Sequence, residues 1–239
     1  MTFSYPGAEA PALQDINLTI EPGETVAVIG GTGSGKSTLV NLIPRFYDVT
    51  AGQVLVDGVD VRELAQAQLR SGIGLVPQKA ILFTGTVAEN IRYGKENATD
   101  EEVRQAAEIA QALDFIEAMP EGFNAPIAQG GANVSGGQKQ RISIARALIR
   151  RPALYIFDDS FSALDFRTDA RLRAALREVT AGSTSITVTQ RVGVAMDADR
   201  IIVLADGRVA GVGKHKELLQ TCPVYREIVV SQLPEEEVA

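Results

Sequence analysis

A chain of 239 residues with 45% apolar and 22% charged side chains has enough material for one large domain or two small ones around a sizeable core. Its 23 basic and 30 acidic residues leave a net charge of −7, which argues against non-specific DNA or RNA binding but leaves room for a locally positive site holding one nucleotide. Cys222 is the only cysteine, which excludes an internal disulfide and suits a reducing compartment. No run approaches the roughly 20 apolar residues that span a bilayer, and MTFSYPG lacks the basic and apolar regions of a secretory signal. Any link to a membrane is therefore expected through residues or subunits outside this sequence.

In chain order, strands are expected at INLTI (16–20), TVAVIG (25–30), QVLV (53–56), IGLV (73–76), ALYIF (153–157), SITVT (185–189) and RIIVL (200–204). Several are almost wholly apolar and rich in Val and Ile, as in a parallel sheet covered by helices on both faces. The N-terminal part differs: FSY, INLTI and QVLVDG are separated by turn signals with little helix between them, which predicts an antiparallel β portion. The stretch 86–150 reads as mainly helical. One helix is expected over 101–118, acidic at its start and ended by Pro120 and Gly122. A second is expected over 136–150, with Ile142, Ala145, Leu148 and Ile149 on one face. The tail PEEE at 234–237 is a short acidic end expected to fray.

The strongest local pattern is Gly30-Gly31-Thr32-Gly33-Ser34-Gly35-Lys36-Ser37, which fits G-x-x-x-x-G-K-[ST] between an apolar strand and a helix-like KSTLVNLI. Glycines let such a loop wrap so that backbone N–H groups converge on phosphate oxygens, and the helix start adds positive potential. Lys36 can neutralise β- and γ-phosphates, and the Ser37 hydroxyl can ligate Mg²⁺. Downstream, ALYIF runs into Asp158 and Asp159. With a phosphate loop upstream, Asp158 fits the strand-end acid that helps hold Mg²⁺. Ser135-Gly136-Gly137-Gln138 opens another helix, where a Ser and two Gly serve either as an ordinary N-cap or as a second anion site.

The full string SGGQKQRISIARALIRRPAL resembles the signature region of ATP-binding cassette (ABC) transporters, and the likeness extends over nearly the whole chain. GGTGSGKST is similar to the family's Walker A, LVPQ to its Q-loop, NVSGGQ to its signature, LYIFDD to its Walker B and SALD to its D-loop. LFTGTVAENIRYG and the opening FSYPG look most like exporters. The resemblance implies a P-loop NTPase (ABC ATPase) α/β core with an N-terminal antiparallel β portion and an inserted α-helical lobe. The whole of 1–239 would be one nucleotide-binding domain, with its core at about 1–78 and 151–239 and the lobe at about 79–150.

Carried onto matching positions, the resemblance implies that Gly30, Gly31, Thr32, Gly33, Ser34, Gly35, Lys36, Ser37 and Thr38 hold the phosphates of ATP and that Tyr5 stacks on adenine. Ser37, Gln78 and Asp158 would serve Mg²⁺, with Gln78 also near the attacking water and its loop against a membrane domain. Ser135, Gly136, Gly137 and Gln138 would clasp ATP held by a second nucleotide-binding domain, and Asp165 would reach across the same interface. The expected partners are that second domain and a transmembrane domain on the same parent polypeptide, with no nucleic acid. The expected location is the cytoplasmic face of the cell membrane. The abrupt start at the first strand suggests a domain excised from a longer chain.

Three positions depart from the family's pattern. The Glu that polarises the attacking water is replaced by Asp159, one methylene shorter, and a misplacement of about 1 Å can cost around 10²-fold in rate. The His that contacts the γ-phosphate is replaced by Gln190, which donates a hydrogen bond but carries no charge. The only histidine, His215, is expected at the start of a surface helix. An acid and an Arg common in exporters are replaced by Gln129 and Gly130. Everything for gripping Mg-ATP and for offering a signature to a partner is present, while the groups that drive cleavage (Asp159, Gln190 and, beside them, Gln78) look weakened. That combination resembles the degenerate-site half of a heterodimeric exporter, whose partner would carry Glu and His at the positions of Asp159 and Gln190. A nucleotide-sensing dimerisation module without meaningful hydrolysis is the alternative. A DNA-associated ABC ATPase is disfavoured, because no long heptad pattern separates Gly35 from Ser135, and a ribosome-acting protein is disfavoured because only one cassette is present.

Overall fold

The computed structural model describes residues 1–233; the tail at 234–237 lies outside the described residues. The chain runs through β1 (Thr25–Gly30), α1 (Lys36–Leu42), β2 (Leu55–Val56), β3 (Val59–Asp60), α2 (Gln66–Ser71) and β4 (Ile73–Val76). There follow β5 (Gly85–Thr86), α3 (Val87–Arg92), α4 (Asp100–Ile109), α5 (Leu113–Glu117), β6 (Pro126–Ile127), α6 (Gly136–Leu148), β7 (Leu154–Asp158) and α7 (Phe166–Val179). The last part holds β8 (Thr184–Thr189), α8 (Val192–Ala195), β9 (Arg200–Ala205), β10 (Arg208–Gly213), α9 (His215–Thr221) and α10 (Pro223–Val230). Contacts divide the chain into two compact units: Met1–Ile73 with the segment from Thr184 onward, and Gly74–Ser183.

In the first unit β1 is the central strand. It pairs in parallel with β8, from Thr25↔Ser185 to Ile29↔Thr189, and with β9, from Val26↔Arg200 to Gly30↔Leu204. β10 closes the outer edge of β9 antiparallel, with its register shifting between Val209 and Gly211. Val26, Ala27, Val28 and Ile29 are all buried, because a strand with neighbours on both sides and cover on both faces has no solvated side to alternate toward. One face is covered by α8, α9 and α10: Ala27, Ile29, Ile201 and Val203 belong to the same buried cluster as Val192, Ala195, Leu218, Cys222, Tyr225 and Val229.

The antiparallel β portion is present but slighter than the sequence suggests. It comprises bridges Thr2↔Ala51 and Phe3↔Leu13 and the β2–β3 hairpin. The hairpin turns at Asp57 (φ 52) and Gly58 (φ 78), and these left-handed angles match the two-residue turns that follow strand twist. INLTI is not a strand. Ile16 is anchored by exchanging backbone bonds with Met1, and the Thr19 carbonyl accepts from Arg200, but the segment has no ladder among the described residues. β10 went unforeseen because RVAGVG is half exposed and carries glycines where an apolar run would signal a strand.

In the second unit β4 and β7 are neighbours, and β5 pairs antiparallel with β6. Helices α3 and α4 each begin in a reciprocal capping box, Thr86 with Glu89 and Thr99 with Glu102. The helix expected over 101–118 is interrupted: Gln111 adopts φ 55, and its carbonyl, released from helical bonding, accepts from Arg141 Nη1 at 2.6 Å. On α6 and its C-cap, Ile142, Ala145, Leu148 and Ile149 are all buried, as their spacing predicts. Among the described residues no helix is long and apolar enough to cross a membrane.

Candidate functional site

The phosphate-type loop leaves the C-terminal end of β1. A side chain at Gly30 would place its first carbon 2.2 Å from the Leu204 carbonyl oxygen and 2.6 Å from Ser34 Oγ, so the loop can start there only without one. At Gly31 and Gly33 the same carbon would meet nothing within 4 Å, so the loop's outer side is open. Lys36 is 7% exposed, and its ammonium donates to the carbonyls of Gly30 (2.9 Å) and Gly31 (2.7 Å) and lies 3.5 Å from Ser34 Oγ. Gly35, at φ 98, is the N-cap of α1 and offers no side-chain cap, while its carbonyl accepts from Leu39 N at 2.8 Å. A buried ammonium, a helix start with no side-chain cap and an open glycine rim form a donor set suited to a polyphosphate. Ser37 stands half-buried in the first turn.

Two further expected residues lie in the same unit. Tyr5 donates to or accepts from Thr38 Oγ1 at 3.0 Å, and its ring meets Phe3 (4.9 Å, 78°) and Tyr47 (5.2 Å, 85°) edge to face. It remains 37% exposed, so the cluster fixes its orientation without covering it. Gln190 directly follows β8, whose last residue, Thr189, pairs with Ile29, the residue before Gly30. Its side chain is exposed, and its carbonyl accepts from Gln232 Nε2 at 2.7 Å. His215 stands at the start of α9 with Nδ1 2.8 Å from Tyr225 Oη. Burial, with the Lys216 charge second, holds its pKa below the usual imidazole range, and burial pushes Tyr225 up to about 12.

The remaining site residues belong to the second unit. β7 delivers Asp158, 5% exposed, at its last position. Asp159 turns sharply at φ 44, a left-handed geometry that Asp tolerates better than most residues. Its Oδ2 accepts from Gln78 Nε2 at 3.3 Å, so the two residues expected near the reacting water meet directly. Two bonds that the sequence did not reveal hold this corner. Ser160 Oγ donates to the Val76 carbonyl at 2.9 Å, and Gln140 Nε2 donates to the Pro77 carbonyl at 3.1 Å. The Pro77 bond therefore comes from the same helix that Ser135 begins. Gln140 is 3% exposed and shares its face of α6 with Ile144 and Ala147, but nothing along the chain names the Pro77 carbonyl as its partner.

Ser135 is the N-cap of α6. Its Oγ accepts from Gln138 N at 3.2 Å, and Gln138 Oε1 accepts from Ser135 N at 2.8 Å. Gly136 has open space where a side chain would go, while a first carbon on Gly137 would lie 3.2 Å from the Ala163 carbonyl. Asp165 caps α7, accepting from Thr168 N at 3.0 Å, and this backbone bond lowers its pKa. Gln129 and Gly130 lie in a short 3₁₀ turn, with Gly130 at φ 63, and Asn133 bonds across it from Ala128 N to the Pro126 carbonyl.

Comparison with known proteins agrees with this geometry. The ABC transporter family matches residues 13–162. An uncharacterized ABC transporter ATP-binding protein of Mycobacterium bovis is 55% identical over 234 residues, 97% of this chain and 40% of the relative. A protein of Staphylococcus aureus, provisionally named a multidrug export ATP-binding/permease protein, is 46% identical over 228 residues, 95% of this chain and 39% of the relative. A solved bacterial Atm1-family ABC exporter with ATP bound superposes with a TM-score of 0.93 at 37% identity, covering 96% of this chain and 40% of that one. The chain thus spans about two fifths of the length of the relatives it matches. The P-loop fold with a mixed α/β core, antiparallel portion and helical segment is as the motifs implied. With the family's model matching 13–162 and relatives 55% and 46% identical over nearly the whole chain, the chain belongs to the ABC transporter family as an ATP-binding domain.

Proposed function

We propose that this domain powers a membrane exporter by pairing head-to-tail with a second, non-identical nucleotide-binding domain, and that its own ATP site binds tightly but cleaves slowly. Gly30–Thr38 and Tyr5 would hold ATP, and Ser37, Gln78 and Asp158 would hold Mg²⁺, which when bound neutralises phosphate charge. The polar donor set around Lys36 and the buried Asp158 fit those groups. Ser135–Gln138 and Asp165 would complete the partner's site, and the residues at 79–150 would form the lobe that presents them. The observation that carries the reading is Asp159. It supplies a carboxylate where a longer one is expected, and that carboxylate is engaged by Gln78.

A transmembrane domain on the same polypeptide is supported by the longer exporter relatives. It is also supported by an apolar surface in the second unit. Ile81, Phe83 and Tyr93 are exposed, and the Arg146 guanidinium lies 5.1 Å from the Phe83 ring and 5.9 Å from the Tyr93 ring. Burial lowers the Arg146 pKa to about 10, so its positive charge persists at neutral pH. The deciding experiment is ATP turnover by the full-length protein alone and with a partner carrying Glu and His. Slow turnover alone and fast turnover with the partner is the expected result; full exporter-type turnover alone overturns the degenerate-site reading.

A further inference from the structure

The side chain of Gln232, just past the end of α10, spans the turn that carries Gln190. Its Nε2 donates to the Gln190 carbonyl at 2.7 Å, and its Oε1 accepts from the Val192 N–H at 3.0 Å. The two bonds fix the amide's orientation, because a flipped amide would set oxygen against oxygen and N–H against N–H. Val192 is the first residue of α8, where a backbone N–H has no intrahelical acceptor, so Gln232 supplies what the helix cannot. Both ends of the clamp are anchored: Val192 and Ala195 share one buried cluster with Tyr225 and Val229 of α10, and Leu233 packs against it. Gln232 itself is exposed and fills no space in that cluster.

We infer that Gln232 is a positioning residue for hydrolysis, holding the backbone of the 190–192 turn and with it the presentation of side chain 190 at the end of β8. The inference rests on the proposed role of position 190 at the γ-phosphate. Gln232 touches neither nucleotide nor reacting atoms; it acts through the carbonyl of residue 190, which any side chain there retains. Gln232, which follows α10, thereby supports the site through the 190–192 turn. On that reading, loosening the turn should affect the cleavage step and leave ATP binding almost untouched.

The test uses the full-length protein. Gln232→Ala should raise hydrogen exchange at the Val192 amide about fivefold, the loss expected for one hydrogen bond. Unchanged exchange overturns the clamp, whatever turnover does. Kinetics are then read in a D159E/Q190H background, chosen because the proposed function predicts measurable turnover there. Q232A should lower kcat about fivefold with KM within about twofold, and Q232E, which cannot donate to the carbonyl, should do the same. In a D159E/Q190A background, with no side chain to position, Q232A should have no further effect. A changed KM with constant kcat, or an equal loss in the Q190A background, overturns the positioning role. If D159E/Q190H turns over no faster than the parent, the degenerate-site reading fails, and exchange alone decides the clamp.

Discussion

The Gln78 amide donates to the Asp159 carboxylate at 3.3 Å, joining two residues 81 positions apart in the sequence. The pairing gives the short carboxylate a partner within its own unit. On the proposed function, lengthening it and restoring an imidazole at position 190 should favour an attacking water instead. D159E/Q190H is expected to raise phosphate release by the full-length protein up to about 10²-fold, with D159E alone giving only part of the gain. At φ 44 a Glu is less at ease than an Asp, so D159E should also cost about 1 kcal/mol, read as a small drop in Tm.

Lys36 donates to two carbonyls of its own loop, so its ammonium is already placed where phosphate oxygens would compete for it. K36M should weaken ATP binding at least about tenfold, because a charge-assisted bond is lost. The rise in Tm that ATP gives the parent should shrink in this variant at the same ATP concentration, as differential scanning fluorimetry would show.

Ser135 has a structural role as cap of α6 and a proposed functional role toward a partner's ATP, and substitutions separate them. S135A should cost about 1 kcal/mol of stability and also lower turnover at the partner's site. S135N, which keeps an accepting oxygen at the cap, should restore the Tm without restoring turnover in the assembled pair.

Tyr5 is oriented by Phe3, Tyr47 and Thr38 while staying partly open. Y5F keeps the ring and should leave the ATP Kd within about twofold. Y5A removes the stacking platform and should raise Kd by about tenfold, judged from base–aromatic stacking of ~1–3 kcal/mol. Nucleotide titration by calorimetry distinguishes the two.

His215, held neutral against Tyr225, makes stability depend on pH. Its folded pKa lies below the ordinary 6.5, so the unfolded chain takes up the proton first. Its contribution is complete above that value and is lost as pH falls below it toward the folded pKa. H215Q, which can still bond Tyr225, should flatten the fall in Tm as the pH drops below about 6.5.

What the sequence alone determined is whatever depends on neighbours along the chain. The loop after TVAVI, the acid ending LYIFD, the cap at Ser135 and the buried stripe on α6 were all legible, because converging amides, strand ends, caps and helical faces are built from contiguous residues. The extent of INLTI and the break at Gln111 were not, since a strand needs a ladder and a helix interior can be opened by an Arg from another helix. Tertiary structure alone decided the bonds from Gln140 to Pro77, from Ser160 to Val76 and from Gln232 to the 190–192 turn. Each joins a side chain to a backbone group far away in sequence, and such a contact leaves no periodicity and demands no particular residue at the accepting end.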